Sequence, residues 1–252
     1  MKRLDGRNQM ENNKLNGKKT YEYVFDYFSD QILSGKLKLN DKLETEREIA
    51  EKLGVSRNSI REVMHMLEIT GLIECLQGSG NYVRCDPVEY MLKSVNMVMA
   101  LMDIDFTEVF DIRTGYEYTA VRLAIDAAQP EELEEMHQIL LKMDQPMSVK
   151  ESAKLDIEFH HKLMDASHNR MLILYSSMLY DLMDQFIENF RARILTNRMR
   201  AELLRRAHWG IFNGLVAKDL DAAMKGFDKH FRIVEEQLQK YRQKEPEPEP
   251  LP

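Results

Sequence analysis

Apolar residues along most of the chain recur at the three- and four-residue spacing of amphipathic helices. From Pro87 onward this spacing continues through seven segments, and almost nothing alternates with the two-residue period of a strand. A set of long helices without strands is typical of a helical bundle. The pattern predicts helices over 88–102, 106–128, 131–144, 150–167, 170–194, 199–217 and 219–242.

The amino-terminal third has shorter elements, and glycines separate them. Thr45 and Glu48 fit a capping box at the start of one helix, which Gly54 would end. Ser56 is placed to cap a second helix. The two predicted helices are joined by about three residues, which is the spacing of a helix-turn-helix.

The second of these helices would expose a cationic, hydrogen-bonding first turn made of Arg57, Asn58 and Arg61. Such a helix suits the major groove of DNA, where arginine can donate two hydrogen bonds to a guanine edge and asparagine can pair with adenine. Taken alone, an exposed polar helix start is more often only solvated surface. The buried face of the same helix is predicted to consist of Ile60, Val63, Met64 and Leu67.

Two short predicted strands follow, over 72–76 and 81–85, around the glycine-rich turn Gln77 to Gly80. Strands flanking such a turn predict a β-hairpin. A helix, a helix-turn-helix and a hairpin, in that order, make a winged helix. The hairpin tip is small enough to approach DNA phosphates through its backbone amides.

Charge and composition limit the function in three ways. The 252 residues carry a net charge of −7, but residues 1–85 hold 14 basic and 13 acidic side chains, so the acidity belongs to the rest of the chain. No apolar run is long enough to span a membrane and the first residues lack the apolar core of a secretion signal, so we expect a cytoplasmic protein with no membrane partner. Two cysteines are too few for a disulfide framework.

A carboxylate and several histidines in the helical part have the composition of a metal site. Asp156 and His160 are four residues apart and share one helical face, whereas His208 and His230 lie on the last two predicted helices among apolar neighbours. An isolated pair with this spacing more often forms a surface hydrogen bond. If the three helices pack together, three imidazoles and one carboxylate converge, and that set suits zinc or nickel better than calcium or magnesium.

The amino-terminal third resembles the GntR family of transcription regulators in three segments, from Leu43 to Ala50, from Leu53 to Glu62 and from Gly71 to Gly80. The resemblance implies a winged helix-turn-helix domain that binds double-stranded operator DNA. It also implies a set of DNA contacts, which consists of Arg47, Ser56, Arg57, Asn58, Ser59, Arg61 and Gly78.

The helical part is similar to the FCD effector domain of the FadR subfamily, through the spacing of Asp156, Phe159 and His160 and the later Asn169, His208 and His230. The resemblance implies one divalent metal ion per subunit, zinc first, with nickel or manganese as alternatives. Its ligands would be Asp156, His160, His208 and His230. Arg113 and Asn169 would contact an effector, which we expect to be a small carboxylate or sugar acid.

The expected protein is mainly α, with an N-terminal winged helix-turn-helix followed by an all-α helical-bundle effector domain of the FCD type. The predicted ranges are a disordered basic tail (1–19), the DNA-binding domain (20–85), the effector-binding and dimerisation domain (88–242) and a disordered Glu/Pro tail (243–252). We expect a ligand-responsive repressor that binds a pseudo-palindromic operator as a homodimer. Two alternatives stay open: a metal-dependent, hydrolase-like helical protein, and a regulator whose metal is purely structural.

Overall fold

The computed structural model describes residues 19–86 and 88–244. Contacts within the fold divide the chain into two compact units, Met1–Met91 and Leu92–Pro252. Almost all of the tail predicted over 1–19, and most of the tail predicted over 243–252, lie outside the described residues.

The first unit is a small α/β domain with its own apolar core. Val24 and Phe28 of the first helix pack against Ile49, Ile60 and other buried side chains of the next two helices and the hairpin. The elements in chain order are α1 (Thr20–Leu33), α2 (Glu46–Leu53), α3 (Arg57–Ile69), β1 (Ile73–Leu76) and β2 (Gly80–Val83).

Local capping explains why α2 and α3 begin and end where they do. The Thr45 hydroxyl accepts a hydrogen bond from the Glu48 amide at 3.3 Å, and the Glu48 carboxylate accepts one from the Thr45 amide at 2.8 Å. Gly54 then ends α2 with φ +68°, a left-handed conformation that suits glycine. The Ser56 hydroxyl accepts from the Ser59 amide at 3.1 Å and caps α3. The predicted helix-turn-helix is confirmed.

A third extended segment, which the sequence pattern did not predict, pairs with the hairpin. β1 and β2 pair antiparallel from Ile73 opposite Val83 to Leu76 opposite Gly80, so β2 ends two residues earlier than predicted. The segment before α2 then lies along the other edge of β2. There the Leu43 amide donates to the Asn81 carbonyl at 2.8 Å, and the Val83 amide donates to the Asp41 carbonyl at 2.9 Å. These bonds anchor the wing to the start of the helix-turn-helix.

The second unit is helical throughout its described residues, and its seven predicted helices are confirmed with ends that differ by two residues at most. The first of them, α4, begins just before the division between the units. None of the described helices is long and apolar enough to cross a membrane. In chain order the helices are α4 (Val88–Leu101), α5 (Phe106–Ala127), α6 (Pro130–Met143), α7 (Val149–Ala166), α8 (Arg170–Leu195), α9 (Arg198–Ala217) and α10 (Leu220–Lys244).

Helices α9 and α10 approach so closely that two glycines face backbone atoms of the other helix. A Cβ atom on Gly226 would lie 2.4 Å from the Ile211 amide nitrogen, and one on Gly214 would lie 2.3 Å from the Ala223 amide nitrogen. Both separations are far below van der Waals contact, so only glycine fits. This contact fixes the position of His208 on α9 relative to His230 on α10.

We expect Gly226→Ala to lower the free energy of unfolding by about 1 to 3 kcal/mol, because the added methyl group must push two helix backbones apart. Gly115→Ala is the matched control. Gly115 also lies within a helix, but nothing is within 4 Å of its added Cβ, so alanine there should stabilise the protein by about 0.5 to 1 kcal/mol. Urea unfolding measures both changes. Equal stability of the two variants would contradict the close contact.

Candidate metal centre and DNA-reading surface

Four buried side chains from three helices meet in the core of the second unit. Asp156 and His160 come from α7, His208 from α9 and His230 from α10, and one ligand atom of each lies within 4.8 Å of the others. The Nε2 atoms of His160 and His230 are 3.3 Å apart, and the Asp156 Oδ1 atom is 2.9 Å from His208 Nε2. Bonds of about 2.0 to 2.1 Å to a tetrahedral ion place two nitrogen ligands about 3.3 Å apart.

The hydrogen-bond partners of two of these imidazoles show that their inward nitrogens carry lone pairs. His208 Nδ1 is 2.9 Å from the Leu204 carbonyl oxygen, and His160 Nδ1 contacts the Glu117 carboxylate, so both Nδ1 atoms must carry the proton. His208 Nε2 therefore directs a lone pair at an oxygen of Asp156, and Nε2 has no hydrogen-bond partner among the described residues. A cation bound by both atoms would remove the repulsion between these two acceptors, so the residues fit a metal ion.

The protonation states of the cluster suit metal binding as well. Burial lowers the pKa of His208 below its ordinary value and the pKa of His230 to about 3. Burial acts to raise the pKa of Asp156, but the neighbouring Arg191 guanidinium and the three imidazoles together outweigh it and hold that pKa well below the usual range. Near neutral pH, neutral imidazoles and an ionised carboxylate are the forms that bind metals.

A second carboxylate, Glu117, supports the cluster from α5. It contacts His160 Nδ1, accepts a hydrogen bond from Arg113 Nε at 2.6 Å and accepts another from the Tyr180 hydroxyl at 2.7 Å. A carboxylate that holds the outer nitrogen of a metal-binding histidine fixes the ring and its tautomer. Sequence analysis assigned no role to Glu117 or Tyr180. The four-residue spacing of Arg113 and Glu117 was the only available signal for this pair.

Sequence analysis also missed Arg191, which lies on α8 and is buried beside the cluster. Its Nη1 contacts Asp156 Oδ1, and its Nε and Nη2 donate to the Ser152 hydroxyl at 3.1 and 2.8 Å. Asp156 thus faces both an arginine and three imidazoles. Nothing in the sequence spacing marked this residue, because it lies 35 residues from Asp156 on a separate helix.

A small cavity of about 20 Å³ adjoins the cluster. The polar side chains in its lining are Arg113, Asp156, Arg191 and His230, and the others are apolar. Arg113 lies where the sequence predicted, and its Nη2 is buried without a partner among the described residues. The side-chain oxygen of Asn169 accepts from the amides of residues 171 and 172 and caps α8, and Asn169 is not among the residues that line this cavity.

The described part of the first unit presents the predicted DNA-reading residues on the exposed start of α3. Arg57, Asn58 and Arg61 are exposed. Ser56 and Ser59 are joined through their hydroxyls at 2.9 Å, so their first role is to cap the helix. The predicted inward face is confirmed, since each of its members is at most 3% exposed; these are Ile60, Val63, Met64 and Leu67.

Two of the predicted DNA contacts are engaged by carboxylates of α2. Arg61 donates to both oxygens of Glu46, with Nη2 at 2.9 Å from Oε2, and Arg47 pairs with Glu51 at 3.2 Å. Exposed ion pairs of this kind contribute little to stability, so DNA can replace them. Gly78 lies at the hairpin tip with φ +78°. All seven predicted contacts thus belong to the helix-turn-helix and the wing.

Comparison with known families follows the same division of the chain. The family model described as "Bacterial regulatory proteins, gntR family" matches residues 20–83, and the FCD domain model matches residues 108–232. The chain belongs to the GntR family. Its FCD domain is consistent with the FadR-like subfamily of GntR regulators.

Curated GntR relatives align with most of the chain. The "Uxu operon regulator" of Haemophilus influenzae is 29% identical over 87% of this chain and 82% of its own. The "HTH-type transcriptional regulator LutR" of Bacillus subtilis is 26% identical over 83% and 97%. The "Glc operon transcriptional activator" of Escherichia coli K12 is 26% identical over 86% and 88%. This GntR protein is accordingly a transcription regulator with an FCD effector domain, and not an enzyme.

One solved structure supports the fold alone. The chain named "Streptococcus agalactiae GntR" aligns with a TM-score of 0.58 at 23% identity, over 86% of this chain and 99% of its own.

FCD domains commonly bind a metal ion, which agrees with the buried cluster of one aspartate and three histidines.

Proposed function

We propose that this GntR regulator is a homodimeric repressor whose affinity for operator DNA changes when a small organic acid binds beside a metal ion in the helical unit. The observation that carries the proposal is the approach of His208 Nε2 to Asp156 Oδ1 at 2.9 Å, within a buried cluster of four side chains that suits a metal ion. The proposed DNA-binding domain spans 20–85, and the proposed effector and dimerisation domain spans 88–242.

The DNA-binding role rests on the exposed start of α3. We propose that Arg57, Asn58 and Arg61 contact base edges, that Arg47 contacts the backbone, and that the wing tip at Gly78 approaches phosphates. The hydroxyls of Ser56 and Ser59 are placed for polar contacts at the same helix start. Two copies related by a twofold axis would read a pseudo-palindromic site, and the dimer would set the distance between half-sites.

The effector role rests on the donor set and on Arg113. Three imidazoles and a carboxylate suit zinc, and nickel or manganese are the alternatives. When bound, the ion would supply positive charge, and an effector carboxylate would add a fifth ligand to the four protein ligands. Arg113 offers a buried Nη2 with no partner among the described residues, which is the geometry a carboxylate needs.

Repression requires fewer functional surfaces on the protein than activation does. A dimer on an operator blocks other proteins by its volume, whereas activation needs a further surface that contacts the transcription machinery. An effector changes operator affinity only by binding the DNA-competent and DNA-incompetent arrangements differently. We place the protein in the cytoplasm, where operator DNA and small metabolic acids are both present.

The two alternatives predict different behaviour. A metal-dependent hydrolase is not favoured, because relatives that cover more than 80% of the chain are named as regulators. A purely structural metal would leave operator affinity unchanged by any small acid, although it would still stabilise the helical unit.

Selection from a pool of random DNA duplexes tests the proposal. We expect zinc-loaded protein to enrich one pseudo-palindrome with half-sites about one helical turn apart, bound by two chains. The binding should weaken steeply between 50 and 200 mM salt, roughly as the number of phosphate contacts dictates. A pool that shows no enrichment at any salt concentration would contradict the regulator.

A further inference from the structure

Two buried arginines, Arg113 and Arg191, line the same small cavity beside the metal cluster. Each is about 5% exposed. Buried guanidinium groups need anionic partners, because removing an unpaired charge from water is costly. Arg113 has one such partner in Glu117, and Arg191 has one in Asp156.

The charges of this region balance only as long as no metal ion is present. Among the described side chains that form the cluster and its neighbours, the carboxylates Asp156 and Glu117 offset the two arginines, and the histidines contribute no charge in their metal-binding form. A divalent ion adds two positive charges to a water-poor site. Such an excess favours a ligand with two negative charges over a ligand with one.

A metal ion and Arg191 would share one oxygen of Asp156. The same oxygen, Oδ1, contacts Arg191 and lies 2.9 Å from His208 Nε2 and 3.9 Å from the Nε2 atoms of His160 and His230. An oxygen bound to a cation is a weaker acceptor for a guanidinium. Its negative charge is then shared with the ion, and the other group that Arg191 contacts is the neutral Ser152 hydroxyl, so Arg191 gains by contacting an anion in the cavity.

We propose that the effector is a small dianion, such as a dicarboxylate, and that Arg191 binds its second acidic group. This inference rests on the proposed function, in which the first carboxylate lies at the metal ion and Arg113. Arg191 is a specificity-determining residue of the pocket, because it distinguishes dianions from monoanions.

The cavity is too small to admit such a ligand without rearrangement. About 20 Å³ is room for roughly one water molecule, which is far less than even the smallest dicarboxylate occupies. Binding therefore requires side chains to move, and Arg191 is the lining residue whose partner changes on metal binding. The same movement gives the effector a means of acting on the helices that form the cavity.

Calorimetric titration of zinc-loaded, full-length protein with two matched pairs of acids tests this proposal. Malate differs from lactate, and succinate from propionate, by one added carboxylate. We expect each dicarboxylate to bind about 10- to 100-fold tighter than its partner. Arg191→Gln should reduce this preference to about threefold or less while the zinc content stays at one ion per chain. Arg205→Gln, which removes a guanidinium paired with Asp144 outside the cavity, should leave it unchanged.

Other binding results would separately contradict the dianion, the role of Arg191 or the proposed effector class. Monocarboxylates that bind wild-type protein as tightly as dicarboxylates would overturn the dianion, while the proposed carboxylate effector would stand. A preference that persists in Arg191→Gln, with Arg191→Lys also unchanged, would overturn the role of Arg191. Zinc-loaded protein that binds none of the four acids would overturn both this inference and the proposed effector class.

Discussion

Replacing Arg57 and Arg61 together by alanine should weaken operator binding at least about 30-fold at 150 mM salt. Both side chains are exposed at the start of α3, and a good bidentate contact between arginine and guanine contributes about 1 to 3 kcal/mol of discrimination. Affinity for unrelated DNA should fall much less, because base contacts supply specificity and phosphate contacts supply general affinity. Fluorescence anisotropy with the selected duplex and a scrambled duplex measures both quantities.

The control for this experiment removes the same charge elsewhere. Arg122 and Arg206 are exposed arginines of the helical unit, and their double alanine variant also loses two positive charges. We expect its operator affinity to stay within about twofold of the wild type. If the two double variants lose affinity equally, the effect is one of total charge and α3 does not read bases.

Replacing His208 by alanine should weaken zinc binding about 100-fold or more and abolish any effect of organic acids on operator affinity. Structural zinc sites bind with about 10 to 16 kcal/mol shared among four ligands, so one ligand is worth about 3 kcal/mol. His208 is fully buried, and its Nδ1 is held by the Leu204 carbonyl at 2.9 Å, so its Nε2 is the nitrogen that faces the cluster. Competition with a fluorescent chelator measures the zinc affinity.

His168→Asn is the control for the loss of a histidine outside the cluster. His168 is exposed and has φ +53°, a conformation that asparagine tolerates. Its variant should bind zinc as the wild type does. Circular dichroism of the metal-free proteins separates loss of zinc from unfolding of His208→Ala. A folded His208→Ala that keeps wild-type zinc affinity would show that His208 is not a ligand.

The helices could be predicted from the sequence because their signals are local. Thr45, Glu48, Gly54 and Ser56 each act within four residues, and the structure shows the predicted caps. The Asp156 and His160 pair is local for the same reason. His208 and His230 are separated from that pair by whole helices, so their apolar neighbours predicted the site only if the three helices pack together, and the family resemblance then implied all four ligands.

What could not be predicted depends on contacts between distant segments. The extended segment before α2 pairs with β2 through backbone atoms, which carry no side-chain signal. Arg191 lies beside Asp156 only because α7 and α8 pack together, and one arginine in a long helix gives no pattern. Asn169 caps α8, and its predicted contact with an effector stays a prediction.

Anomalous X-ray diffraction at the zinc edge, from crystals of the protein as purified, tests the metal centre most directly. We predict one strong peak per chain, within about 2.0 to 2.3 Å of Asp156 Oδ1 and of the Nε2 atoms of the three histidines. The Arg191 guanidinium should have moved away from Asp156 in those crystals. Ordered ligand side chains with no peak between them, and Arg191 still bound to Asp156, would contradict a metal-dependent regulator.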